Sequence, residues 1–155
     1  MRNEFSCQAK VLNAAALNFL KNQEEITMIT CQNRFVMKTF MEDTEDISIR
    51  TQYTLPSEDF EAYQVESRSN ITYSLKDLRA LTSFAETFSL PFKAVYEDAG
   101  NPITFSIESL DLIQASLVLA TMSDESGIDE VSHREYYFKK TRQIIILQNL
   151  KNIKE

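Results

Sequence analysis

Asp43, Glu45 and Asp46 form a run of carboxylates that could hold a divalent cation against a phosphoryl oxygen, as a nuclease requires. The same three residues also make an ordinary acidic turn between strands. Ser132 and His133 are adjacent nucleophile and base types, but no carboxylate adjoins them to orient the imidazole. The cysteines, Cys7 and Cys31, lie 24 positions apart, and with a single histidine no zinc-ligand spacing arises. Gly100 and Gly127 are the only glycines, so no loop can turn several backbone N–H groups onto a phosphate as nucleotide-binding motifs do. No catalytic residue, metal or cofactor is expected.

Binding is better represented. Lys76, Arg79 and Ser83 recur at i, i+3 and i+7, so on a helix the two cations project together. Lys10, Asn18 and Lys21 stand off the apolar stripe of an earlier helix pattern. Either set is a solvated face or a contact for phosphates. The run Leu117-Val-Leu-Ala-Thr-Met122 is apolar at almost every position: it is a strand buried on both faces, or its end lines a groove for short apolar peptides. Ser126, three residues before Asp129, suits an acidophilic kinase.

The elements that must position these residues can be read from periodicity. Leu12, Ala15, Ala16, Phe19 and Leu20 share one face of a helix from Cys7 to Lys21. Glu25 to Cys31, Arg34 to Phe40 and Asp46 to Leu55 are β-branched or aromatic runs bounded by turn residues, and they predict an antiparallel meander. Pro56 to Ser69 is polar and is expected to be mostly connection. The order then returns: a strand from Asn70 to Ser74 and a helix from Leu75 to Phe88, capped by Ser74 and buried through Leu78, Leu81, Ala85 and Phe88. Strands follow at Phe92 to Glu97, Ile103 to Glu108 and Ile113 to Met122. With a short strand at Asn3 to Ser6, the chain reads as a duplicated β-α-β-β-β unit, an α+β fold with two helices on one face of an antiparallel sheet. The domain is expected over 1–124. Residues 125–155 are expected to be a tail, flexible at first and at most marginally helical over 139–153.

The 155 residues, 43% hydrophobic and 25% charged, suit one domain with a sizeable core. Net charge is -7, yet residues 133–155 carry six Lys or Arg against Glu135 and Glu155, so the remainder is acidic at -11. An acidic body opposes nucleic-acid binding over its whole surface and leaves room for a local basic stripe. No apolar run approaches 18 residues and the N-terminus lacks a signal-peptide build, so a soluble intracellular chain with free thiols and no membrane contact is expected.

Ile71-Thr-Tyr-Ser-Leu-Lys-Asp-Leu-Arg-Ala-Leu-Thr-Ser-Phe-Ala-Glu86, with Phe105-Ser-Ile-Glu-Ser and Leu119-Ala-Thr-Met-Ser-Asp124, resembles the second clamp domain of the Rad-nine subunit family. That family belongs to the nine-one-one checkpoint sliding clamp and is related to the proliferating cell nuclear antigen. The resemblance covers Cys7 to Asp124. It implies a nuclear, non-catalytic scaffold within a hetero-trimeric ring that encircles double-stranded DNA without sequence preference and recruits repair and checkpoint signalling proteins. It also implies that Lys10, Lys21, Lys76 and Arg79 face DNA, and that Leu119, Ala120, Thr121 and Met122 contribute to a groove for partner peptides. The edge strand containing Ile47, Ser48, Ile49, Arg50, Thr51, Gln52 and Tyr53 would pair with the next subunit. The family is credited with a 3'-5' exonuclease activity, but no carboxylate cluster here matches one. A free adaptor domain without DNA contact is the other alternative. A complete subunit would also carry a first clamp domain and an interdomain linker, so half a subunit is expected.

Overall fold

The computed structural model describes residues 2–40, 50–109, 113–122 and 143–147. Strand β1 (Asn3–Gln8) runs straight into helix α1 (Ala9–Ala16), and a meander follows: β2 (Glu25–Cys31), β3 (Arg34–Thr39) and β4 (Gln52–Pro56). After a 3-10 turn (Ser57–Asp59) and β5 (Ala62–Gln64), the order repeats as β6 (Ser69–Ser74), α2 (Leu75–Thr87), β7 (Pro91–Tyr96), β8 (Ile103–Glu108) and β9 (Gln114–Leu119). Strand β10 (Gln143–Leu147) comes last.

The fold class is α+β as expected, with the β-α-β-β-β order present twice, but the strands form two antiparallel sheets rather than one. Their orders are β10-β9-β8-β7-β1-β5 and β4-β3-β2-β6. Each repeat therefore lends its first strand to the meander of the other. β1 lies beside β7, Phe5 opposite Ala94, and β6 lies beside β2, Ile71 opposite Met28. Both first strands enter a helix without a turn, so neither can fold back as a hairpin on its own meander.

One local expectation is refined and two are corrected. Pro56 to Ser69 is not only connection, because Ala62–Gln64 pairs with β1 and the Glu61 N–H donates to the Ser6 carbonyl at 2.8 Å. Gln143–Leu147, expected in a marginal helix, pairs with β9 instead; its β-branched run suits a strand, and β9 offers an edge whose backbone groups need partners. Helix α1 stops at Ala16 rather than Lys21. The Asn18 side chain donates to the carbonyls of Ala14 (2.9 Å) and Ala15 (3.2 Å), and the Phe19 N–H bonds back to Ala16 in a tighter turn.

One core joins sheets and helices. Leu12, Ala15, Ala16 and Phe19 of the first apolar stripe are buried, as are Leu78, Leu81 and Ala85 of the second. Leu20 and Phe88, predicted for the same faces, are exposed. Phe88 is the residue that caps α2, and Ser89 follows with φ of 52°; the Leu90 N–H then reaches the Ala85 carbonyl at 2.9 Å, so Leu90 takes the buried place. Ser74 accepts the Asp77 N–H at 3.3 Å, the cap read from sequence.

The core holds its titratable groups neutral. Burial pushes the Cys7 thiol from 9.0 up to about 12, and burial also raises the phenols of Tyr63, Tyr73 and Tyr96 above their ordinary value of 10.0. The unfolded chain would release these protons first. Their contribution is therefore complete below about pH 9 and is lost as pH rises toward the folded values. The urea midpoint is expected to hold from pH 7 to 9 and to fall steadily above it; a flat profile to pH 11 would contradict this.

Candidate nucleic-acid interface

The two helices pack side by side and antiparallel. Asn13 on α1 donates to the Glu86 carboxylate near the end of α2, while Arg79, early on α2, reaches the end of α1. Lys10 on α1, Lys76 on α2 and Lys21 in the turn after α1 are exposed, with no salt bridge to any of the three among the described residues. The one ion pair seen there joins Lys93 to Glu4 on the sheet at 3.2 Å. All three ammonium groups are thus without an ion pair among the described residues.

Arg79 is different, because its guanidinium has partners within the chain. Its guanidinium donates to the carbonyls of Ala16 (3.1 Å), Phe19 (3.0 Å), Leu20 (3.0 Å) and Lys21 (3.3 Å). The Ala16 carbonyl is the last of α1 and the other three belong to the turn that follows it, at the helix end where partial negative charge collects. The side chain is therefore held as a clamp between the helices, and its partial burial lowers the guanidinium pKa. Spacing along α2 alone could not reveal this, because the acceptors lie on another element.

The helical layer also exposes apolar groups that the sequence reading assigned to no site or to the core. Leu17 is 76% exposed and Phe88 51%, and the rings of Phe84 and Phe88 meet at 5.0 Å on the surface. Opposing charge is present as well, since Glu86 sits on α2 and is exposed.

The expected peptide groove narrows. Leu119 is 2% exposed and Thr121 4%, so neither lines an accessible groove. The Thr121 hydroxyl donates to the Asn101 carbonyl (2.7 Å) and accepts the Gly100 N–H (2.9 Å), which fastens the turn between β7 and β8. Ala120 and Met122 remain partly exposed, and the Met122 N–H bonds to the Thr72 carbonyl of β6 at 3.0 Å. An apolar run in sequence cannot tell which alternate residues face inward at its end.

Of the expected pairing strand, Gln52 and Tyr53 belong to β4, which has β3 on one side and no further strand among the described residues. Arg50 and Thr51 precede it; the Thr51 carbonyl accepts the Thr39 N–H at 2.9 Å, which continues the ladder with β3. Ile47, Ser48 and Ile49 lie outside the described residues, as do Ser126, the pair Ser132 and His133, and the acidic run Asp43, Glu45 and Asp46. Among the described residues no group of three His, Cys, Asp or Glu is placed to hold a metal ion, and no helix is long and apolar enough to cross a membrane.

Two helices and two antiparallel sheets in a duplicated β-α-β-β-β order are consistent with a clamp domain. A model of the Rad9 family matches residues 1–122. The chain belongs to the Rad9 family. It is 31% identical over 133 residues to the cell cycle checkpoint control protein Rad9 of Drosophila melanogaster, an alignment covering 84% of this chain and 28% of that protein. The DNA repair protein rad9 of Schizosaccharomyces pombe is 27% identical over 149 residues, covering 90% of this chain and 35% of the relative. That of Schizosaccharomyces octosporus is 27% identical over 138 residues, covering 84% and 32%. The chain thus spans about a third of the length of the curated relatives it matches. None of these names describes an enzyme.

Proposed function

We propose that this Rad9-family chain supplies one clamp domain, matching the second of a subunit, to a ring that encircles double-stranded DNA and scaffolds DNA-damage checkpoint and repair proteins in the nucleus. The observation that carries this reading is the exposure of Lys10, Lys21 and Lys76 on the paired helices and the turn after α1, without an ion pair among the described residues, in a chain whose residues 1–132 are strongly acidic. A few mobile ammonium groups make weak contacts with phosphates and read no bases, as sliding requires. Repulsion from the acidic remainder keeps DNA off the other surfaces.

In this reading β4 is the edge that pairs with a neighbouring clamp subunit, and Ala120 and Met122 are the accessible part of a surface for partner peptides. Ser126 is a site for phosphorylation beside that surface in sequence. Arg79 serves DNA contact indirectly, by fixing the turn that carries Lys21.

The test is salt-dependent DNA binding by the chain assembled with its companion clamp subunits. Changing Lys10, Lys21 and Lys76 to Glu together should weaken binding without altering the fold. Each lost phosphate contact should flatten the slope of log K against log salt by about 0.9 on duplex DNA. An unchanged slope in the folded triple variant would remove the helical layer from DNA contact.

A further inference from the structure

β4 and β9 end the two repeats and stand at the same place, the outer side of their meanders. β4 has no further strand beside it among the described residues, whereas β9 is covered by β10, which returns to it after residues 120–142. The backbone alternation shows what β10 covers. The Ser109 N–H donates to the Ile113 carbonyl at 2.8 Å, so odd-numbered residues here turn their backbone groups toward β8. Gln114, Ser116 and Val118 turn theirs outward. The register sets these opposite Leu147, Ile145 and Gln143, three pairs that exchange bonds with β10.

Uncovered, this edge would invite pairing. Gln114–Leu119 contains no charge and no proline, the features that ordinarily keep an open strand from joining another. The edge is also self-complementary. A second copy brought up antiparallel about a twofold axis sets Ser116 opposite itself and Gln114 opposite Val118, again three exchanging pairs and no like charges opposed.

We propose that β10 is a guard strand: it covers the β9 edge in cis, and its withdrawal lets that edge pair with β9 of a second copy of the chain. The proposal does not depend on the clamp reading. The alternation supplies a matched pair of variants in the full chain. Ile145→Pro removes an N–H that bonds to β9, while Ile144→Pro removes one that faces away.

Sedimentation over a range of concentrations, with amide exchange at Gln114, Ser116 and Val118, tests it. The unaltered chain and Ile144→Pro should sediment as the 17.9 kDa monomer with these amides protected. Ile145→Pro should lose that protection at low concentration and form a dimer at high concentration. Adding Ser116→Pro, whose N–H is one of the outward groups, should restore the monomer. A dimer of the unaltered chain, an Ile145→Pro variant that keeps protection or stays monomeric, or a dimer that survives Ser116→Pro would each overturn the proposal.

Discussion

Truncating Phe5 to alanine is expected to lower the unfolding free energy by about 3 to 5 kcal/mol. Its ring meets Phe35 at 5.4 Å, Phe60 at 5.2 Å and Tyr96 at 6.0 Å, each near edge-to-face. Phe35 belongs to the four-stranded sheet, whereas Phe5 and Tyr96 belong to the six-stranded one. The ring is 1% exposed and is the joint between sheets. Its loss removes buried area and also leaves a cavity that two strand-anchored walls cannot close. Against a typical domain stability of about 5 to 15 kcal/mol, such a loss is a large fraction. Urea denaturation at unchanged m-value is the measurement, with Phe5→Leu as a milder companion. A loss under about 1 kcal/mol for the alanine variant would mean that the sheets are held together elsewhere.

Replacing Arg79 by alanine should cost about 1.5 to 3 kcal/mol, the range for hydrogen bonds made by a charged group. Four carbonyls at and just beyond the end of α1 lose their donor at once, although solvent can reach part of the site and replace some of the bonds. Lysine is expected to restore little, because a single ammonium cannot span four acceptors as the planar guanidinium does. The effect should be local as well as global, with amide exchange accelerating across 17–21 before the sheets open. A residue that merely faced DNA would behave otherwise. Its loss would leave the melting temperature and these amides unchanged and alter only the salt dependence of binding.

The amino-acid sequence by itself determined the types of the repeated elements and their duplicated order, because these follow from local periods and breakers. The stripe of Leu12, Ala15, Ala16 and Phe19, the Ser74 cap and the β-branched runs each act within a few residues. The exposure of Lys10, Lys21 and Lys76 was legible for the same reason, since they stand off the apolar stripes. Tertiary structure alone decided that β1 and β6 cross into the opposite meanders, because strand pairing depends on which edge is vacant and no local pattern encodes that. It decided likewise that Arg79 closes the end of α1, that Thr121 turns inward to the Gly100 turn, and that Ile144 to Leu147 lie in a strand instead of a helix. In each case the deciding partner, a carbonyl or an open edge, lies far away in sequence. Short-range spacing specifies what a residue offers, and the fold specifies which acceptor it meets.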